Sequence, residues 1–437
     1  MHMRPRFSRS AGVITAAVLA GVLALPAASA AASSRDHHES GRWVATWAAS
    51  PMPATPVSLA AKDDFSAKGF RDQTIRNIVW TSVGGQAARI RLSNRFGRRP
   101  ITFRQVDIGV AGPGASVKAG TSHLVTFDGR RSVTIEPGQA VVSDPVMMRV
   151  PAATDLAVSL FVPRKTGPAT YHSDAQQVNY VSGRGDFAGQ TSGAAFTTTS
   201  QHWYFVDAVD VLASSRVRGT VVAFGDSITD GYHSNLNANA RWPNDLARRF
   251  LAGPPGQALG VVDAGISGNR VLNNSACFGI RGVTRFLRDV AARTGARYVI
   301  VLEGINDIGF SDLPNTGCFA PNTNVSAAQI IHGYKILIAA AHRAGLKIFG
   351  ATLTPFQGSL YYTAAGEAKR EAINRWIRTS HAFNGVIDFA KAVQDPANPL
   401  QILPAYDSGD HLHPNDAGYQ AMANAINLAL FRGHSGR

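Results

Sequence analysis

Cysteine is nearly missing from this chain, with two residues, Cys277 and Cys318, among 437. So few thiols make no metal centre unless further soft ligands stand beside them, and no such cluster accompanies either one. In an oxidising compartment an even pair suggests a single disulfide, with two free buried thiols as the alternative. Charge is scarce too, at 16% of residues against 45% hydrophobic, which excludes extensive disorder except at the ends. Beyond the first thirty residues no apolar run approaches the ~20 residues that a bilayer-spanning helix requires, so no transmembrane anchor is expected. Runs of Lys or Arg are also lacking. The formal charge is +14, but the basic residues are scattered and form no known nucleic-acid module. They read as a solvated basic surface, and nucleic acid is not expected as a partner.

What is present begins with Arg4, Arg6 and Arg9, an apolar run from Ala11 to Leu25, and the small residues Ala28, Ser29 and Ala30. That order marks residues 1–30 as a secretory signal peptide and predicts an extracellular protein. Cleavage would remove three arginines and no acid, lowering the charge from +14 to +11. The mature chain stays basic, which favours adsorption to anionic polymers or cell walls. Residues 31–40 are polar and charged and read as a flexible leader; His37 and His38 within it lack the partner ligands of a metal site.

Two rhythms follow. From residue 41 to 213 short, β-branched runs such as Ile75–Val83, Ala88–Ser93, His123–Phe127, Ser132–Ile135, Leu156–Val162 and Gln177–Val181 are separated by turn signals, among them Asp128-Gly129 and Pro137-Gly138. They predict an antiparallel β-sandwich, jelly-roll-like, with no catalytic constellation of its own. From 214 to 437 apolar strands alternate with amphipathic helices. The strands are expected at Thr220–Phe224, Gly260–Ala264, Tyr298–Leu302, Lys347–Leu353 and Val386–Phe389. Helices are expected at Trp242–Leu251, Arg281–Thr294, Ala327–Ala344, Ala364–Ser380 and Asn415–Leu430. This alternation predicts an α/β domain of three layers around a parallel five-stranded sheet, flavodoxin-like. Ligands of such sheets sit beyond the carboxyl ends of the strands, so chemistry is sought in the loops there.

The first loop reads Gly225-Asp226-Ser227-Ile228-Thr229-Asp230-Gly231 and places a serine at a strand-to-helix turn, its backbone N–H free to face an anion. The second, Gly265-Ile266-Ser267-Gly268-Asn269-Arg270, offers the Gly268 N–H as another donor. The third, Glu303-Gly304-Ile305-Asn306-Asp307, presents an asparagine amide that could meet a developing oxyanion. The last, expected directly after the fifth strand, is Asp407-Ser408-Gly409-Asp410-His411-Leu412-His413-Pro414-Asn415. Here one turn can lay the Asp410 carboxylate against the ring of His413. Taken singly these are ordinary turn residues. His411 and His413 could instead pair on a metal, but no Glu or Cys cluster accompanies them, and no metal is expected.

Together, in order, the four loops resemble the GDSL esterases, also called SGNH hydrolases, whose four name-giving residues have counterparts in Ser227, Gly268, Asn306 and His413. The resemblance spans residues 219 to the end; Ile228 stands where leucine usually follows the serine. It implies a serine ester hydrolase with Ser227 as nucleophile, His413 as base and Asp410 as its orienting acid. The oxyanion hole would comprise Ser227, Gly268 and Asn306, with Asp226, Asn269 and Asp307 in support, and no cofactor is required. Cys277 and Cys318 flank loops beside this site, where a bridge would brace them. Secretion and the sandwich lean towards carboxylic esters of carbohydrates, acetyl or aromatic acyl. The partner is then an ester substrate, polysaccharide-linked in one version, and a monomer is expected. The alternatives are a lipase, phospholipase or general carboxylesterase, and, from another class, a non-catalytic polysaccharide-binding protein.

Overall fold

Alternating burial shapes the first half of the chain in the computed structural model, which describes residues 41–254 and 256–432. The signal peptide and leader expected at 1–30 and 31–40 lie outside the described residues. In the strand Val146–Val150, Val146, Met148 and Val150 point inward while Met147 and Arg149 face out, the period of a sheet with one covered face. Two large antiparallel sheets result, with two short two-stranded pairings beside them. One runs in the order Arg42–Ala48, Val206–Ala213, Gly85–Ser93 and Ala140–Val142, with Val146–Val150 also paired to Gly85–Ser93; the other runs Thr198–Ser200, Asn179–Arg184, Gln73–Trp80, Asp155–Val162, Gln105–Val110 and His123–Leu124. Their inner faces share one core, with Ile75, Val79, Ile90, Leu92, Val158, Leu160, Val209 and Val211 buried together. Each such side chain contributes roughly 1.5–3 kcal/mol of burial. This is the expected β-sandwich. The strands at 42–48, 105–110, 140–142, 146–150, 198–200 and 206–213 are additions to the runs named from the sequence. Val206–Ala213 is buried at nearly every position, because it lies between two strands and its Ala208 also packs into the core of the second half. An alternation search passes over such a strand.

The second half contains five parallel strands: β1 (Thr220–Gly225), β2 (Gly260–Gly265), β3 (Ala296–Leu302), β4 (Lys347–Ala351) and β5 (Gly385–Ile387), in the order β2-β1-β3-β4-β5. That is the flavodoxin-like order, which reverses direction beside β1 and opens a crevice at its carboxyl end. The helices are α1 (Ser227–Asp230), α2 (Trp242–Leu251), α3 (Gly282–Phe286), α4 (Ile305–Gly309), α5 (Ala327–Arg343), α6 (Ala364–Thr379), α7 (Phe389–Val393) and α8 (Asp416–Ala425). Local chemistry sets their ends. Ser326 and Gln329 form a reciprocal capping box at the start of α5, and Thr363 caps α6 through the Gly366 N–H.

Some expected boundaries move. The helix expected at 281–294 is α3 followed by a π-helical turn, Leu287–Ala291. The helix expected to reach Leu430 stops at Ala425 and a 3₁₀ turn follows at Leu428–Phe431. Phe389, expected to end the fifth strand, instead opens α7, because Asp388 caps it by accepting the Lys391 N–H. The loop with Asp410 and His413 therefore follows α7 and an irregular segment, not β5 directly. Among the described residues no helix is long and apolar enough to cross a membrane.

The two halves meet closely. The Val261 N–H donates to Ser82 Oγ at 3.0 Å and the Ala45 N–H to the Thr294 carbonyl at 2.9 Å. Arg293, buried, donates to the carbonyls of Asp207 and Ala49 at 2.8 and 3.1 Å.

Candidate active site

The strand β1 is buried throughout and ends in Gly225, leaving Asp226 to cap α1 by accepting the Ile228 N–H at 3.1 Å. Ser227 thus begins a helix of a single turn that Gly231 closes at φ 86°, and its side chain is held at the carboxyl edge of the sheet. From 186 residues further along, His413 Nε2 comes to 2.7 Å from Ser227 Oγ. The other ring nitrogen, Nδ1, lies 2.6 Å from Asp410 Oδ2. An ionised carboxylate only accepts, so the proton between them sits on Nδ1 and Nε2 is left to accept from the serine.

The turn carrying this pair is tightly bonded. Asp410 Oδ1 accepts the N–H groups of Leu412 and His413 at 2.9 and 2.8 Å and the Ser408 hydroxyl at 3.1 Å. Burial opposes ionisation of Asp410, but the hydrogen bond and charge of His413, with the two N–H donors, outweigh it and hold the carboxyl well below its usual range. His411, weighed as a metal ligand, is tied to Asp407 at 2.5 Å. Among the described residues one trio, His233, Asp410 and His413, brings ligand atoms within 4.8 Å of one another and could hold a metal ion.

Ser227, Gly268 and His413 line one cavity of about 320 Å³, walled by Tyr232, Phe278 and Tyr361. Gly268 is in the left-handed region, and a Cβ there would sit 2.3 Å from the Phe278 ring, so the position is closed to any side chain. The backbone N–H groups of Ser227 and Gly268 donate to no protein acceptor among the described residues. Asn306 is buried and does not line the cavity. One of its amide hydrogens is given to the Asn269 carbonyl at 2.9 Å.

The remaining expected residues act as struts. Asp307 accepts the Val271 and Leu272 N–H groups at 2.7 and 3.0 Å, locking the Gly268 loop to α4. Asn269 donates to the carbonyls of Phe278 and Ile280 and accepts from Arg285 Nε at 2.8 Å. Cys277 and Cys318 are joined as a disulfide, linking that same loop region to the segment after α4. Burial pushes Asp226 up to about 7, Glu303 to about 8 and Asp307 to about 6, so the floor of the site is a cluster of acids that hold their protons unusually well.

Sequence reasoning missed Arg285. Fully buried, it donates to the carbonyls of Gly225 and Ala264 at 2.7 Å each, closing the ends of β1 and β2, and stands 4.0 Å over the Phe224 ring. An unpaired Glu303 in an apolar stretch was the available signal, since a buried acid calls for a buried base. The sandwich half, read as lacking catalytic residues, also reaches the site. His172 Nε2 lies 2.9 Å from Asp230 Oδ1, and Asp230 Oδ2 accepts the N–H and hydroxyl of Ser267 at 3.0 and 3.1 Å. Burial disfavours the charged ring of His172, but Asp230 overrides it and raises His172 to about 9. Two residues on, Asp174 lines the cavity itself.

Residues 223–421 match the GDSL-like Lipase/Acylhydrolase family, a span that carries all four loops. This part of the chain belongs to that family. The GDSL-like domain is accordingly that of a carboxylic ester hydrolase. Its matches among solved structures include a GDSL-like lipase from Bacteroides thetaiotaomicron (20% identity, 49% of this chain and 88% of that one, TM-score 0.34). An acetyl xylan esterase (19%, 47% and 96%, 0.36) and an aryl esterase from M. smegmatis (16%, 47% and 95%, 0.37) are also similar. Among curated proteins, none matches the sequence.

Proposed function

We propose that this chain is an exported serine esterase that works through an acyl-enzyme on Ser227. The observation that carries the proposal is the unbroken chain of short contacts from Ser227 Oγ to His413 Nε2 at 2.7 Å and from His413 Nδ1 to Asp410 Oδ2 at 2.6 Å. A hydroxyl is a weak nucleophile at neutral pH and needs a base as it attacks. His413 takes the Ser227 proton while Oγ bonds to the ester carbonyl carbon, and Asp410 steadies the imidazolium that forms. The carbonyl oxygen becomes an oxyanion, to be met by the N–H groups of Ser227 and Gly268 and by the second amide hydrogen of Asn306. Collapse expels the alcohol, which takes the proton from His413. Water, deprotonated in turn by His413, then releases the acid and restores Ser227.

The substrate class proposed is a short carboxylic ester of a carbohydrate. A cavity of about 320 Å³ with aromatic walls suits a small acyl group and one sugar ring better than a long lipid chain. The signal peptide expected at residues 1–30 and the Cys277–Cys318 disulfide support export. The test is hydrolysis of a short acyl ester by the Ser227→Ala variant: turnover should vanish while the circular dichroism spectrum is unchanged, and full activity in that variant would end the proposal.

A further inference from the structure

The cavity beside Ser227 is built from both halves of the chain, and its one acidic lining residue, Asp174, comes from the sandwich. Its position is fixed from two sides. Tyr171 and His172 pair as a short strand with Trp203 and Tyr204, and the His172 ring is clamped between the Ser50 carbonyl at 3.0 Å and Asp230 at 2.9 Å. Within the protein the Ser267 hydroxyl is the side-chain donor to Asp174, and its one proton is shared with Asp230, whose Oδ2 lies 3.1 Å from it. A part-buried carboxylate that faces a cavity with one shared donor keeps acceptor capacity for hydrogen that a ligand brings.

We propose that Asp174 is a specificity-determining residue, accepting hydrogen bonds from hydroxyl groups on the alcohol portion of a sugar ester whose ring lies against Tyr232, Phe278 and Tyr361. Aromatic faces cover the apolar side of a sugar ring while a carboxylate takes its hydroxyls. A permanently cationic alcohol fits less well, because His413 itself becomes positive during attack. The assignment rests on the esterase reading above and deepens it: the sandwich half then selects the substrate for the GDSL-like domain.

The test compares wild type, Asp174→Asn and Asp174→Ala on an acetylated methyl glucoside, on p-nitrophenyl acetate, whose alcohol has no spare hydroxyl, and on acetylcholine. Losing hydrogen bonds to a charged acceptor should raise KM for the sugar ester about tenfold or more in Asp174→Ala, with kcat within about twofold. Asp174→Asn, which keeps one acceptor oxygen, should recover part of that loss. Both parameters for p-nitrophenyl acetate should stay within about twofold, as no contact to its alcohol is lost. Equal losses on the sugar ester and p-nitrophenyl acetate, an unchanged KM for the sugar ester, or a larger loss on acetylcholine would each overturn the assignment. So would a wild type that cleaves p-nitrophenyl acetate and not the sugar ester, a result that leaves the serine esterase standing. A wild type inactive on all three esters would instead remove the esterase reading and this one with it.

Discussion

At the scale of single residues the account depends on how firmly Asp410 holds the His413 ring. Four donors converge on that carboxylate, three on Oδ1 and the ring itself on Oδ2. Replacing Asp410 by Asn puts an amide where Nδ1–H needs an acceptor, and the turn can then favour the tautomer with its proton on Nε2. That nitrogen can no longer accept from Ser227. The variant Asp410→Asn should fold normally and lose on the order of 10⁴ in kcat, the scale seen when such an aspartate is amidated elsewhere. Steady-state kinetics on a short ester measure it, and wild-type turnover would mean that another carboxylate serves His413.

At the scale of elements the site depends on what closes the ends of β1 and β2, and Arg285 does so from within the core. Its guanidinium meets two strand-end carbonyls, Asn269, Ser50 and the acids Asp289 and Glu303. Truncation to alanine takes a buried donor from the Ala264 carbonyl and Asn269 Oδ1 and a buried counter-charge from Asp289 and Glu303, so Arg285→Ala should lower the unfolding free energy by about 3–5 kcal/mol. Urea denaturation is the measurement, and a loss under about 1 kcal/mol would show that water or a neighbour replaces the guanidinium. Arg285 also marks the limit of what was legible. Three of the loops could be read because each directly follows a strand, and the fourth because Asp410 and His413 lie within one turn, where spacing alone decides their contact. The parallel strands could be read because buried apolar runs between helices have few other fates. By contrast Arg285, Asp230, His172 and Asp174 matter through contacts between segments far apart in the chain, which no local pattern encodes. Phe389 shows the same limit at small scale: a run of apolar residues did not reveal that Asp388 would cap a helix there.

At the scale of the whole molecule, Asp226, Glu303 and Asp307 sit together under the site with their proton affinities raised by burial. The fold therefore binds protons that the unfolded chain releases above about pH 4. Between that value and the folded ones, stability falls as pH rises; above them it levels off. For Glu303, raised to about 8 and with neither carboxyl oxygen hydrogen-bonded among the described residues, the window is widest. Glu303→Gln stays neutral at every pH, so its unfolding free energy should drop less than the wild type's between about pH 5 and about pH 8. Equal drops would mean Glu303 is ionised in the fold. Above all, the fold's central act is to carry a histidine 186 residues through the sequence to one serine. A fluorophosphonate probe followed by peptide mass spectrometry tests this most directly. The account predicts covalent modification of Ser227 alone in the native protein, abolished by prior unfolding and by His413→Ala; labelling of a different serine, or of none while ester hydrolysis persists, would contradict it.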